Sequence, residues 1–363
     1  MPLESTNKTL NILKKIEVLI LDFDGVVFST KNSFRKAIQE TVNFYFIKLL
    51  KLNGPRLNLI TQKEIQKFKD TGMYNDDWKL TRFFILYFFS ALALKNKDFL
   101  NLIKEKENLN EVLNIIEKLK EFFNSQKLDL TNYLTSIKRD EEKGFKPLVS
   151  LLKNMNELEA LQKIFPKLNE SLLKLKNFIQ TKINEEDLPQ KIFEEFYLGK
   201  NLYEEFYDQP ALFNLNRGFI ENEKPLTTIE TLEKLYKKFG KLIVYSERPK
   251  KQAIYVLKKF NLESYFDLEK SYFREEINRF SFLGNVGKPN PAPFFNLLKE
   301  LKTENKLLAY VGDTVADVIL IERLKTTYLI NALSIIVSKN HSLINADAIL
   351  KDVNELNLIF EEG

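Results

Sequence analysis

At 363 residues, with 44% hydrophobic and 29% charged residues, the chain has the length of roughly two to three domains and the composition of a folded globular protein. It has no cysteine and a single histidine, His341, which excludes thiolate metal sites and cysteine catalysis and disfavours zinc and Ser-His-Asp hydrolases. The excess of basic over acidic residues gives a net charge of +5. Lysines alternate with glutamates along helical stretches, a pattern typical of solvated helix faces.

The chain begins with one strand-like run and continues into a long region with helical periodicity. Ile16–Leu21 is a short apolar run rich in β-branched residues, which predicts a buried strand. In the glycine-poor region that follows, apolar residues recur at spacings of three and four, as in Leu109–Phe123. We therefore predict that the region from about Lys31 to Asn222 is all-helical.

Strand-like and helical patterns alternate in the last third of the chain. Strands are predicted at Leu242–Tyr245, Leu307–Val311 and Ser334–Val337. Helices are predicted at Thr228–Phe239, Lys250–Phe260, Pro291–Leu301 and Ala316–Leu324. Alternation of this kind predicts a parallel sheet, and near-continuous apolar strands fit a sheet that is covered on both faces.

Together these patterns predict an α/β fold with a Rossmann-like parallel sheet and a large all-α domain inserted after the first strand. The α/β domain is assembled from residues 1–30 and 223–363, and residues 31–222 form the inserted domain. Ligands of parallel sheets bind beyond the carboxyl ends of the strands, and polar residues follow three of the predicted strands at that edge.

No segment has the pattern of a membrane span. The longest nearly apolar run, Phe83–Leu94, is shorter than the about 20 residues that a spanning helix needs, so we interpret it as a buried helix. The chain carries the acidic residue Glu4 near its start and lacks a signal-peptide pattern. We expect a cytoplasmic protein without a membrane partner.

Two of the candidate chemical groups follow the first two predicted strands. In Asp22-Phe23-Asp24-Gly25, carboxylates at i and i+2 can project towards one pocket, and Gly25 permits the tight turn that follows. The hydroxyl of Ser246 can donate to a phosphoryl oxygen, and it is also suited to cap the helix that follows.

Two further groups lie later in the chain. Lys288 is held in a proline-rich segment that stiffens the backbone carrying its charge. Asp313 follows the third strand and Asp317 lies one helical turn beyond it, so that the two can share one helix face. Two neighbouring carboxylates need a cation, and oxygen-only ligands suit Mg²⁺. The alternative interpretation of this pair is structural: an aspartate N-cap followed by an acidic residue in the first turn of the helix.

The order Asp-x-Asp-Gly, Ser, Lys-Pro and Gly-Asp-x-x-x-Asp resembles the haloacid dehalogenase superfamily of phosphohydrolases. The resemblance covers Leu13–Thr30 and about Glu223 to Ile359. It implies that Asp22 is the nucleophile that forms an aspartyl-phosphate. It also implies that Asp24 protonates the leaving oxygen and then deprotonates the attacking water.

The resemblance further implies the binding residues of the site. The expected phosphate-binding residues are Ser246, Glu247, Arg248 and Lys288. The expected magnesium ligands are Asp22, the backbone carbonyl of Asp24, Asp313, and Asp317, the last directly or through water. The predicted partner is a small phosphorylated substrate.

In this superfamily an insertion after the first strand is often a helical cap that closes on the substrate. Lys31–Leu94 and Ile192–Phe219 are similar to such a cap, and the region from about Lys95 to Glu186 is interpreted as an additional helical insertion outside the catalytic machinery. Amphipathic helices there must bury their apolar faces against the cap or another subunit.

A closer resemblance, to a histidinol-phosphatase-like subgroup, rests on three segments: Gly72–Thr81, Phe196–Gly199 and Ser246–Pro249. Members tend to have glycine at the position of Glu247 and aspartate at the position of Ser29. Candidate substrate contacts in the inserted domain are Asn75, Asp76 and Arg82, although Asn75–Asp77 favours a helix N-cap. We interpret His341 as a surface loop residue.

The sequence thus predicts a magnesium-dependent phosphatase that acts on a small phosphorylated metabolite. A phosphomutase of the same superfamily shares every motif and remains an alternative. A non-catalytic interaction protein that uses the helical insertion as a scaffold is the alternative from another class, disfavoured by four intact motifs. Nucleic acid is not an expected partner, because the charges are mixed rather than gathered in one basic stripe.

Overall fold

The computed structural model describes residues 11–55, 58–74, 76–104, 108–126, 128–183, 186–284, 286–338 and 345–360. The chain divides into two compact units. One unit contains residues 1–30 and 223–363 and is called the α/β unit; the other contains residues 31–222 and is called the helical unit.

The described strands are short and belong mostly to the α/β unit. They are β1 Val18–Leu21, β2 Phe28–Ser29, β3 Lys182–Ile183, β4 Glu186–Asp187, β5 Lys224–Pro225, β6 Ile243–Val244, β7 Leu308–Gly312, β8 Ala332–Val337 and β9 Ala348–Leu350. Five of them form one sheet of order β6-β1-β7-β8-β9, in which every neighbouring pair is parallel. The predicted α/β fold class is confirmed.

The described α-helices overlap every segment for which an individual helix was predicted. In the helical unit they are α1 Phe34–Asn43, α2 Gln62–Lys69, α3 Asp77–Lys95, α4 Leu109–Ser125, α5 Leu130–Ile137, α6 Phe145–Leu152, α7 Glu157–Ile164, α8 Asn169–Ile179 and α9 Leu188–Tyr207. In the α/β unit they are α10 Ile229–Phe239, α11 Lys250–Lys259, α12 Arg274–Asn278, α13 Ala292–Leu301, α14 Val315–Tyr328 and α15 Leu356–Phe360.

The core of the α/β unit lies along the central strands of the sheet. All five residues of β7 are buried, as are the last three of β1, which is the pattern of strands covered on both faces. Ile20 and Tyr310 pack with Leu297 of α13 and Leu324 of α14 in one apolar cluster. Burial of this cluster supplies the hydrophobic free energy that fixes the strand ends where polar residues follow.

The helical unit is organised around α3, the helix that contains the long apolar run. Its residues are buried around most of its circumference because it packs against α1, α5, α8 and α9. Phe145, the first residue of α6, contacts the rings of Phe84, Tyr87 and Phe88 on α3. The helices between residues 95 and 186 therefore share one core with the segments on either side of them.

Several details of the secondary structure differ from the predictions, among them the unpredicted β2–β5 ladder. The inserted region is not entirely helical, because β3 and β4 form a two-residue antiparallel ladder that holds the link between α8 and α9 extended. The strand β9 has no counterpart among the predicted strands, since a three-residue edge strand has too little periodicity to detect. Predicted strand residues Leu242 and Tyr245 lie outside β6 and form single bridges with Phe266 and Tyr272.

Within the part of the chain that the structure describes, no helix combines the length and the apolar character that crossing a membrane requires.

Candidate active site

The register of the sheet brings the ends of three strands to one edge. Leu21 of β1 lies opposite Val244 of β6 and Val311 of β7. The backbone N–H of Asp22 donates to the carbonyl oxygen of Val311 at 2.8 Å, which extends the pairing of β1 with β7 by one residue. Asp22 thus stands beside the segments that leave β6 and β7.

Lys288 connects the aspartates of this edge. Its Nζ donates to Oδ2 of Asp22 at 2.6 Å, to Oδ1 of Asp317 at 2.9 Å and to the hydroxyl of Tyr310 at 2.6 Å. All four side chains are buried. The sequence singled out the lysine and both aspartates but not Tyr310, whose only signal is a polar hydroxyl inside an apolar strand.

The start of α14 positions the second pair of aspartates. Its N-cap is Thr314, whose backbone N–H and hydroxyl donate to Oδ2 of Asp317 at 2.9 and 2.7 Å. The alternative of an aspartate N-cap is therefore wrong at this helix. A Cβ on Gly25 would lie 2.0 Å from Oδ2 of Asp313, and one on Gly312 would lie 2.4 Å from Cγ of Asp317, so both glycines make room for carboxylates.

The charges of the cluster do not balance without a further cation. Burial raises the pKa of Asp22 well above its usual value; Lys288 opposes this shift, and the charges of Asp317 and Asp313 add to it. Burial by itself lowers the pKa of Lys288, but the carboxylates of Asp22 and Asp317 outweigh it and raise that pKa well above its usual value. Lys288 is therefore charged, yet it offsets only part of the negative charge around it.

The same residues fit a divalent metal ion. Asp22, Asp313 and Asp317 each offer a carboxylate oxygen, and these oxygens lie within 4.8 Å of one another. An all-oxygen donor set suits a hard cation such as Mg²⁺. Both oxygens of Asp317 accept hydrogen bonds, from Lys288 and Thr314 among others, and both oxygens of Asp22 accept them from Lys288 and the backbone N–H of Phe23.

Comparison with known protein families identifies this part of the chain. Residues 222–329, which contain Ser246, Lys288, Asp313 and Asp317, match the family model of the haloacid dehalogenase-like hydrolases. Residues 222–329 are haloacid dehalogenase-like. The resemblance inferred from the motifs is confirmed over these residues, and the matching family is one of hydrolases.

Solved structures agree with this fold. A structural genomics target determined by X-ray crystallography aligns with a TM-score of 0.61 at 17% identity, over 95% of this chain and 98% of its own. A phosphatase from Thermococcus thioreducens aligns with a TM-score of 0.50 at 19% identity, over 94% of this chain and 98% of its own. At such identities the likeness concerns the fold. Comparison with curated proteins finds no match.

The segment that follows β6 departs from one prediction. Ser246 is buried after β6 as expected, but it does not cap α11, which begins at Lys250 with Pro249 as its N-cap. The side chain of Glu247 is engaged within the protein, because its Oε1 accepts the backbone N–H of Lys288 at 3.0 Å, and its phosphate binding stays a prediction. An anionic side chain in this position holds the loop that carries Lys288.

The side chain of Arg248 is likewise engaged within the protein, and its phosphate binding stays a prediction. Its guanidinium is enclosed in the α/β unit and donates to the carboxylates of Asp24 and Glu223. With both partners anionic and its side chain out of contact with solvent, Arg248 is engaged by protein carboxylates rather than presented to a phosphate. Sequence reasoning missed Glu223, which is separated from its partner by 25 positions and lies in no recognisable motif.

The predicted residues of the helical unit lie at the start of α3. Oδ1 of Asp76 accepts the backbone N–H groups of Trp78 and Lys79 at 2.8 and 3.0 Å, which confirms the N-cap interpretation. Arg82 donates to Asp187 at 2.5 Å and to Gln190 at 2.8 Å, and thereby ties α3 to the start of α9.

Of the remaining residues singled out in the sequence, Ser29 lies in β2 of the α/β unit, paired with Lys224 of β5. Asn75 and His341 lie outside the described residues, and their predicted roles stay predictions.

Proposed function

We propose that the protein is a magnesium-dependent phosphatase that hydrolyses a small phosphorylated metabolite through an aspartyl-phosphate on Asp22. The observation that carries the proposal is the convergence of Asp22, Asp313 and Asp317 from separate parts of the chain, with the buried ammonium group of Lys288 bound to Asp22 and Asp317. A carboxylate nucleophile, a fixed cation and an acidic metal site are the parts that phosphoryl transfer requires.

The metal would be held by Asp22, Asp313 and the backbone carbonyl of Asp24, with Asp317 contributing directly or through water. Bound there, Mg²⁺ would supply positive charge that offsets the negative charge of the carboxylates and of a phosphate ester. Two observations support the fit of a metal ion at these residues: Gly25 leaves room for the carboxylate of Asp313, and negative charge is in excess around Asp22.

In the first half-reaction, a carboxylate oxygen of Asp22 attacks phosphorus, and the bond between phosphorus and the leaving oxygen breaks. Lys288 favours the ionised form of the attacking carboxylate and fixes it in place through a 2.6 Å contact. Ser246 donates its hydroxyl to a phosphoryl oxygen. Asp24 gives its proton to the leaving oxygen, which departs as an alcohol.

In the second half-reaction, the Asp24 carboxylate takes a proton from water, and the oxygen of that water attacks phosphorus. The acyl phosphate bond breaks, which releases inorganic phosphate and restores the Asp22 carboxylate. Asp24 is then protonated again, so that the cycle consumes one water and returns every group to its initial state. Asp24 suits both roles because its side chain remains 28% exposed.

The proposal is tested by phosphate release from a panel of phosphorylated metabolites, with magnesium present and after its removal by a chelator. We expect release from at least one small phosphate ester, and loss of release when the metal is removed. Asp22→Asn should abolish turnover, whereas the matched variant Asp98→Asn, which changes an exposed aspartate of the helical unit, should retain it.

Three results would contradict the proposal. These are the absence of phosphate release from every ester in the panel, unchanged release after removal of the metal, and near wild-type release by Asp22→Asn. A phosphorylated product isomer in place of inorganic phosphate would identify a phosphomutase instead.

A further inference from the structure

Arg248 bridges two carboxylates inside the α/β unit. Its Nη2 lies 2.9 Å from both carboxylate oxygens of Glu223, and its Nε lies 2.9 Å from Oδ1 of Asp24. Nη2 also reaches the same oxygen of Asp24, at 2.8 Å. The ring of Phe23 lies under the guanidinium, 5.0 Å from Cζ.

The two carboxylates differ in exposure. The side chains of Arg248 and Glu223 are 0% exposed, whereas that of Asp24 is 28% exposed. A buried guanidinium is tolerated only where carboxylates accept its hydrogen bonds, so Glu223 fixes Arg248 in place. The planar guanidinium then imposes a direction on the contact with Asp24, because its donors have a rigid geometry that an ammonium lacks.

Such a contact acts on the orientation of Asp24. Both donors of Arg248 converge on Oδ1, which restricts rotation of the carboxyl group about its own axis. Proton transfer to a leaving oxygen requires the carboxyl group to be held within hydrogen-bond distance of that oxygen. An arginine that has no access to solvent serves this requirement, and it does not compete for the phosphate.

We propose that Arg248, anchored by Glu223, is a positioning residue that holds the carboxyl group of Asp24 for proton transfer to the leaving oxygen as the bond from that oxygen to phosphorus breaks. The proposal rests on the proposed function, since it assigns a task within the first half-reaction. It also explains why a buried arginine follows Ser246 at a distance of two residues.

The test compares two aryl phosphates that differ in their need for a proton. 2,4-Dinitrophenolate leaves readily without one, whereas the more basic phenolate of phenyl phosphate does not. The pre-steady-state burst of phenol release reports the first half-reaction alone, because hydrolysis of the aspartyl-phosphate follows it. The measurement uses the full chain with magnesium, for the wild type, Arg248→Met and Asp24→Asn.

General acid catalysis contributes about 10²- to 10⁴-fold, so a misplaced acid should be costly only for the poor leaving group. We expect Arg248→Met to slow the burst with phenyl phosphate by about 10²-fold and the burst with 2,4-dinitrophenyl phosphate by less than about tenfold. Asp24→Asn, which removes the acid itself, should slow the burst with phenyl phosphate even more than Arg248→Met does, and again much more than the burst with 2,4-dinitrophenyl phosphate. Arg279→Met, which changes an exposed arginine, should match the wild type on both substrates.

Removal of Arg248 leaves Glu223 buried without its cation, which is strongly destabilising. The double variant Arg248→Met/Glu223→Gln removes both charges together and keeps the test possible if the single variant does not fold. Folding is checked by circular dichroism. Arg248→Lys should restore the charge but only part of the phenyl phosphate rate, because a lysine cannot reproduce the two-donor contact.

Equal slowing of both substrates would assign Arg248 a structural role and overturn the inference, as would an unchanged rate on phenyl phosphate. A wild-type chain that hydrolyses neither ester nor any metabolite of the panel overturns the proposed function and this inference with it. An active wild type without the asymmetry overturns this inference alone.

Discussion

Replacement of Gly25 by alanine should weaken magnesium binding by displacing a single carboxylate. Gly25 has φ +79°, and a Cβ there would lie 2.0 Å from Oδ2 of Asp313 and 2.3 Å from its Cγ. The carboxylate must retreat to an ordinary contact of at least 3.4 Å. Mg²⁺ binds oxygen at about 2.0–2.1 Å with strict geometry, so a shift of that size removes a ligand.

The effect of Gly25→Ala has two contributions, backbone strain and displacement of the Asp313 carboxylate, and a matched variant separates them. A residue other than glycine at such a positive φ costs about 1–3 kcal/mol of stability wherever it occurs. Gly240 has φ +73° at the end of α10, and a Cβ there would meet no atom within 4 Å, so Gly240→Ala carries the backbone strain alone. Only Gly25→Ala adds the displacement of Asp313.

We expect Gly25→Ala to raise the magnesium dissociation constant at least tenfold, which corresponds to about 1.4 kcal/mol of binding free energy. Gly240→Ala should bind magnesium like the wild type. Isothermal titration calorimetry with magnesium measures both, and chemical denaturation reports the shared loss of stability. Equal magnesium affinities for Gly25→Ala, Gly240→Ala and the wild type would refute the assignment of Asp313 to the metal site.

Four further predictions rest on the same geometry. Asp22→Asn should abolish phosphate release while circular dichroism remains that of the wild type, since an amide cannot attack phosphorus; residual turnover near the wild-type rate would contradict the nucleophile. Asp24→Asn should accumulate aspartyl-phosphate on Asp22 from an ester with a good leaving group, detected by rapid quench and mass spectrometry; failure to trap it would contradict the two roles of Asp24. Tyr310→Phe removes the hydroxyl that accepts from Lys288 and should cost about 1–3 kcal/mol in chemical denaturation, because a buried donor loses its partner; an unchanged denaturation midpoint would show that the hydroxyl is dispensable. Phe145→Ala should destabilise the helical unit by about 3–5 kcal/mol, measured by denaturant unfolding, and a loss below about 1 kcal/mol would show that α6 is not part of that core.

Much of the fold follows from local patterns in the sequence. The apolar runs around β1, β7 and β8 predict strands within one or two residues of the observed ones, because buried parallel strands have a composition that does not depend on their partners. The run Phe83–Leu94 predicts a buried helix, and it lies in α3. Helix periodicity predicts α4, α10, α11, α13 and α14 for the same reason: the period is a property of the segment itself.

In the helical unit, local sequence patterns do not predict which helices pack against each other. Amphipathic faces between residues 95 and 186 predict that apolar surface must be buried, but not against which partner. The structure shows that Phe145 and Phe178 pack on the rings of α3. A choice among apolar partners is made by shape and by the path of the chain, and no local spacing records it.

The sequence by itself determined the central strands of the parallel sheet, the longer helices of the α/β unit and the polar residues at the strand ends, because each is encoded by a short segment. The tertiary structure alone decided which of those residues meet. Lys288 reaches Asp22 across 266 positions, and Arg248 reaches Asp24 across 224. The motif after β6 predicts phosphate binding, yet burial turns Glu247 towards a backbone N–H and Arg248 towards two carboxylates. A buried charge takes the partner that folding brings within hydrogen-bond distance, and that distance is set by the packing of the whole unit rather than by the neighbours in the chain.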